Sequence, residues 1–165
     1  MSNTSEIVVP NYFLGRFECD VLKISKAGQL TEYEIKVSRA DFKKDFEKYY
    51  SLYFGTGYKN ITKHDVIREG KRVNRFYYVV PNGLIKPEEV PVGFGLIYAT
   101  EYNYHQEKAI KFEIKKVSKL FMKEGAKEQL YKHLASNLTL KLIAAKRRAH
   151  IAESNARELR KSSQA

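Results

Sequence analysis

Residues 17–37, FECDVLKISKAGQLTEYEIKV, decide how this chain is read. Phe17 to Ile24 are mostly apolar and β-prone, Ser25 to Gly28 carry turn chemistry, and Leu30 to Val37 alternates. The stretch therefore predicts two strands joined by a short turn. Successive strand side chains point to opposite faces. Tyr33, Ile35 and Val37 share an apolar face, while Glu32, Glu34 and Lys36 share the other. In the first strand Glu18, Asp20, Leu22 and Ile24 fall together. Pairing the strands brings Asp20 towards Glu34 and Lys36, so two carboxylates and an ammonium converge.

Two carboxylates on neighbouring strands are hard ligands, suited to Mg²⁺ (or Mn²⁺), which takes few protein ligands and keeps several waters. A cation so held polarises a phosphodiester and acidifies a bound water. A neighbouring lysine can orient that water or steady charge on the phosphate. The same residues equally describe a solvated strand face with a Glu34–Lys36 ion pair, common on antiparallel sheets. The pattern alone leaves both readings open.

Asp20, then Glu34-Ile35-Lys36 fourteen positions on, then a helix start, resembles the core of the PD-(D/E)xK nuclease superfamily. The longer run from Glu34 to Asp45, EIKVSRADFKKD, is similar to the MmcB-like DNA repair proteins and their phage-encoded relatives. So are Phe76 to Pro81 (FYYVVP) and Gly95 to Ala99 (GLIYA), which follow in order; the likeness spans residues 8–100. The resemblance implies an α/β, restriction-endonuclease-like fold, a mixed central sheet flanked by helices. It implies a Mg²⁺- or Mn²⁺-dependent nuclease acting on DNA in repair, recombination or phage DNA processing. Asp20, Glu34 and Lys36 then become the catalytic residues. Asp20, Glu34 and the Ile35 backbone carbonyl hold the metal, and Lys36 orients the attacking water. Glu18, Ser38, Asp41 and Asp45 take supporting places. Read from the residues alone, Ser38 is a helix N-cap with Asp41 three residues on, Asp41 a first-turn dipole partner and Asp45 a surface charge. The helix that usually precedes the Asp strand in the superfamily, often bearing another acid, finds little room here. Glu6 and Glu18 are the only acids before Asp20. The alternative is a non-catalytic DNA-binding module on a nuclease-like fold.

A net charge of +11 over 165 residues points to a polyanionic partner. A single cysteine, Cys19, excludes an internal disulfide and reads as a buried structural thiol. No apolar run reaches the length of a membrane span. Residues 1–6 are polar and lack a signal peptide's basic start and apolar core, so the expected location is cytoplasmic.

Along the chain, Ile7 to Val9 form a short apolar run stopped by Pro10. A helix is expected over 38–54, with Phe42, Phe46, Tyr49, Tyr50 and Tyr53 at helical spacing. Residues 55–75 read as a loop with at most one helical turn near Thr62 to Arg68. Its Lys59, Lys63, His64, Arg68, Lys71, Arg72 and Arg75 are candidate phosphate contacts. Phe76 to Val80 reads as a doubly buried parallel strand, and further strands lie near 94–99 and 110–114. From Ala126 onward there is no Gly or Pro, and Leu and Ala recur by threes and fours beside Lys141, Lys146, Arg147, Arg148, Arg157 and Arg160. This is a basic helical arm, able to bind nucleic acid or to join subunits as a homo-oligomer. The expected division is a nuclease-like domain over 1–116 and the helical extension over 117–165.

Overall fold

The computed structural model describes residues 6–105 and 107–162, with side chains to 156; Arg157, Leu159, Arg160 and residues 1–5 fall outside those described side chains. The fold is α/β. Its mixed sheet has six strands in the order β1-β2-β3-β6-β7-β8. These are β1 (Ile7–Leu14), β2 (Phe17–Ile24), β3 (Leu30–Ile35), β6 (Arg75–Pro81), β7 (Gly95–Tyr104) and β8 (Glu107–Lys116). Strands β1–β3 form an antiparallel meander, β6 runs parallel to both β3 and β7, and β8 returns antiparallel. The quoted hairpin is thus realised, and Phe76–Val80 sits as a parallel central strand. Pro10 does not stop β1, which runs through it along the sheet edge, where proline is tolerated.

The expected helix over 38–54 is cut short. Helix α1 (Arg39–Lys44) passes into a 3-10 turn at Asp45–Glu47. Tyr49, Tyr50 and Tyr53 then lie on β4 (Tyr49–Tyr53), paired with β5 (Tyr58–Thr62). Three tyrosines in five residues favour a pleated ribbon as readily as a helix face. Helix α2 (Lys63–Arg68) follows, and Thr62 and Asp65 complete a reciprocal capping box at its start.

One face of the sheet is covered. Phe42, Phe46, His64, Phe76, Tyr78 and Phe94 pack edge-on or tilted against one another, with centroids 4.9–6.4 Å apart. On the opposite face Val21, Tyr33, Ile35, Val79, Ile97, Phe112 and Ile114 line an open apolar groove of about 460 Å³. There Tyr77 stacks on Tyr33 and lies over Gly95, where a Cβ would come within 2.2 Å of the ring.

The first compact unit extends to Gly125, so the expected boundary at 116/117 moves to 125/126. The reason is Asn74. Its side chain accepts from Leu30 N–H at 2.6 Å and donates to the Met122 and Glu124 carbonyls, while its own carbonyl accepts from Phe121. Ser118 is tied in similarly, accepting from Phe76 N–H through its hydroxyl. The second unit is α3 (Glu128–Ser162), a continuous helix of 35 residues. Leu138, Leu142, Ile143 and Ile151 are exposed on it. No helix among the described residues is long and apolar enough to cross a membrane.

Candidate active site

The β2–β3 ladder ends at Val21↔Tyr33, one residue short of Asp20. Opposite Asp20, Asn11 adopts φ +48°, and the burial alternation of β2 changes sides here. Phe17 and Cys19 are buried before the break, Leu22 and Ile24 after it. Glu18, Asp20, Leu22 and Ile24 therefore do not share one face: Glu18 is exposed and Asp20 half-buried. Freed from the ladder, the Asp20 carboxylate accepts the Ile35 N–H at 2.7 Å. Burial, and then the charge of Glu34, raise the Asp20 carboxyl above its ordinary value.

Glu32, Glu34 and Lys36 form the buried face of β3, and the apolar side chains Ile35 and Val37 are exposed. This inverts the solvated-face reading. Glu34 is 2% exposed and ringed by three ammonium groups. Lys36 and Lys48 approach Oε1 at 2.8 and 2.9 Å, and Lys63 approaches Oε2 at 2.6 Å. Lys63 also reaches Glu32 at 2.7 Å, and Arg72 donates to both Glu32 oxygens. Buried charges survive only in such paired arrangements.

Asp45 is not a surface charge but part of this core. Its Oδ1 lies 3.3 Å from Lys36 and 3.0 Å from Lys48. Its Oδ2 accepts the Tyr78 hydroxyl at 2.8 Å, and His64 Nε2 stands 3.0 Å from that oxygen and 2.7 Å from the hydroxyl. Burial alone would push Glu34 and Asp45 up. The charge of Lys63 outweighs it at Glu34, and the His64 contact with the Lys63 and Lys36 charges outweighs it at Asp45, so both carboxyls sit below their usual ranges. Burial pushes the Tyr78 hydroxyl up, as the Asp45 charge does.

Glu34 and Asp45, with folded values below the ordinary ~4, contribute stability that is complete above that range and lost as pH falls through it. Lys63 and Lys48 are held above their ordinary value by Glu32, Glu34 and Asp45 despite burial. Their contribution is complete below about pH 10 and lost above. Asp20, raised, opposes the acid limb only in part. Thermal melts should show a plateau between about pH 5 and 10 and a falling Tm below about pH 4; an unchanged Tm between pH 5 and 3 would contradict the buried network.

The other expected positions divide. Ser38 is the N-cap of α1 and accepts Asp41 N–H at 3.1 Å, and Asp41 stands 3.8 Å from Lys36 at the rim. Glu18 contributes its backbone carbonyl, 3.3 Å from Lys63. Of the seven candidate phosphate contacts, Lys63, His64 and Arg72 are buried and serve the core. Arg75 is half-buried and donates to the Ser118 carbonyl. Arg68 and Lys71 are exposed but paired with Asp65 and Glu69. Lys59 is exposed on β5. Sequence reasoning missed Glu32, Lys48 and Tyr78. The spacing Asp45-x-x-Lys48 is the one local sign that could have revealed Lys48. Cys19 is buried as expected. Its thiol donates to the Tyr12 carbonyl and is pushed up to about 12, mainly by burial.

For a divalent cation, Asp20 and Glu34 supply hard oxygen donors, and Asp45 Oδ1 is a buried oxygen without a hydrogen bond. Among the described residues no three His, Cys, Asp or Glu side chains already stand in metal-holding geometry. The carboxylates fit such an ion chemically, and the place between Glu34 and Asp45 holds the Lys36 and Lys48 ammonium groups.

No protein family matches the chain, and no curated protein does. Among solved structures, the SPO1766 protein of unknown function from Silicibacter pomeroyi is similar, with a TM-score of 0.57 and 19% identity over 86% of this chain and 80% of that one. At that identity the likeness shows a shared fold.

Proposed function

We propose that the chain is a metal-dependent nuclease domain acting on DNA. The observation that supports this most is the Asp20 carboxylate held by the Ile35 amide where the β2–β3 ladder ends, within the electrostatic reach of the Glu34–Lys36 pair. Asp20, Glu34 and the Ile35 carbonyl would hold Mg²⁺ or Mn²⁺, which supplies Lewis acidity towards a phosphodiester and its attacking water. Lys36, fixed by Glu34 and Asp45, orients that water and steadies charge on the phosphate. Glu34 is kept anionic by the lysines around it, and His64 and Tyr78 hold Asp45 in place behind Lys36. The buried charges cancel, with Glu32, Glu34 and Asp45 against Lys36, Lys63 and Arg72, so the +11 surplus lies outside the core, where it can meet phosphates.

A second reading, a DNA-binding module without cleavage, is favoured by one observation: three ammonium groups already occupy the Glu34 carboxylate. Plasmid and oligonucleotide assays with Mg²⁺ or Mn²⁺ separate the two. Cleavage abolished by EDTA is the expected result. Salt-sensitive binding that persists in EDTA, with no cleavage under any divalent ion, selects the binding module.

A further inference from the structure

The three ammonium groups around Glu34 differ in how firmly they are held. Lys63 and Lys36 are 0% and 3% exposed, locked beneath the sheet layer. Lys48 is 45% exposed, and it leaves the 3-10 turn just before β4. Its Nζ bridges Glu34 Oε1 at 2.9 Å and Asp45 Oδ1 at 3.0 Å. Asp45 Oδ1 is fully buried and receives no directed hydrogen bond, being held by charge alone, whereas Oδ2 is bonded by Tyr78. A cation therefore already sits between two carboxylate oxygens of different elements, on a long flexible stem whose outer part reaches solvent. Lys36 touches the same two oxygens, at 2.8 and 3.3 Å, so the pair already carries two ammonium groups. A divalent ion added to both meets repulsion of several kcal/mol at a few ångströms in a protein-like dielectric, and of the two ammonium groups only that of Lys48 has a stem open to solvent along which to leave.

We infer that Lys48 is a displaceable internal counter-ion that occupies the cation position at Glu34 and Asp45, so that its ammonium and a divalent metal ion exclude each other. This rests on the proposed function for the identity of the competing ion. It adds a device within the chain: the site stays closed to metal until Lys48 swings out, and Lys36 and Lys63 remain to hold Glu34. Asp45 thereby joins Asp20 and Glu34 as a carboxylate facing the ion. Lys48 is a positioning and gating residue, and its effect is read on metal binding rather than on rate.

The test is Mn²⁺ affinity of the full chain, measured by calorimetry or by the Mn²⁺ electron-spin signal. Lys48→Gln removes the charge and keeps hydrogen-bonding capacity; it should bind Mn²⁺ about tenfold or more tightly than the wild type. Lys48→Arg keeps the charge and should retain the wild-type affinity. Adding Asp20→Asn to Lys48→Gln should remove the gain, which assigns it to this site. Equal affinity of wild type and Lys48→Gln, whether both bind or neither does, overturns the inference. Cleavage assays on the same samples separate the two claims. If Lys48→Gln gains Mn²⁺ affinity but cuts no nucleic acid, the nuclease reading fails and the displacement stands. If the wild type cuts and Lys48→Gln binds no tighter, the displacement fails and the nuclease reading stands.

Discussion

Replacing Lys63 with methionine is expected to lower the unfolding free energy by about 3–5 kcal/mol, the cost of breaking a buried ion pair from one side. Methionine keeps most of the aliphatic stem and so isolates the charge. Lys63 is fully buried and bridges Glu32 at 2.7 Å and Glu34 at 2.6 Å. Without it Glu32 keeps Arg72, and Glu34 keeps Lys36 and Lys48, but three buried carboxylates then face one buried ammonium fewer. For a chain of this size the loss corresponds to a fall in Tm on the order of 10 °C. Lys59→Met is the matched comparison, because Lys59 belongs to the same basic stretch but is exposed on β5. It should change stability by no more than about 0.5 kcal/mol. Urea denaturation of both variants decides the matter. A loss below about 1 kcal/mol for Lys63→Met would mean that the ammonium is not the counter-ion of the core.

Asp20→Asn is expected to separate activity from stability. The asparagine side-chain oxygen can still accept the Ile35 N–H, so the hairpin keeps its geometry. Burial and the Glu34 charge both disfavour the ionised form of Asp20, so a neutral side chain suits the fold at least as well. The Tm at neutral pH should be unchanged or slightly higher. On the proposed function, cleavage should fall by about 10²–10³-fold, the usual scale for losing one electrostatic group at a reacting centre. A variant that cuts at the wild-type rate removes Asp20 from the site. A variant that loses activity together with several degrees of Tm would instead give Asp20 a structural role.

The two variants show how unevenly the residues could be read in advance. Glu34 and Lys36 are legible as neighbours because alternation puts residues two apart on one strand face. Asp20 is legible only as a residue of the adjoining strand: the alternation of β2 breaks there and the ladder ends before it, and it reaches the Ile35 amide for that reason. Lys63, His64 and Arg72 are not legible. A lysine in a polar stretch reads as a phosphate contact, and only the partners Glu32, Glu34 and Asp45, drawn from other elements, make it a core residue. Asp45 reads as surface for the same reason. The helix over 38–54 failed differently: Tyr49, Tyr50 and Tyr53 fit helical spacing, yet pairing with β5 outweighs that spacing. Nothing local in residues 117–125 announces the three hydrogen bonds their backbone makes to Asn74, so the expected arm begins too early.

Residue order alone was enough for the hairpin of β2 and β3, the parallel central strand β6, the continuous α3 helix and the Glu34–Lys36 pair. Each rests on a short-range rule: side-chain period, turn chemistry, or the absence of helix breakers. Which face of β3 is the interior depends on the assembled fold. Alternation defines two faces without saying which is covered, and apolar content alone points to Tyr33, Ile35 and Val37. The charged face is buried because Lys63 and Arg72 arrive from later in the chain to neutralise Glu32 and Glu34, and Asp45 arrives to meet Lys36. Charge compensation over such separations is a property of the assembled fold, and no window of sequence contains it.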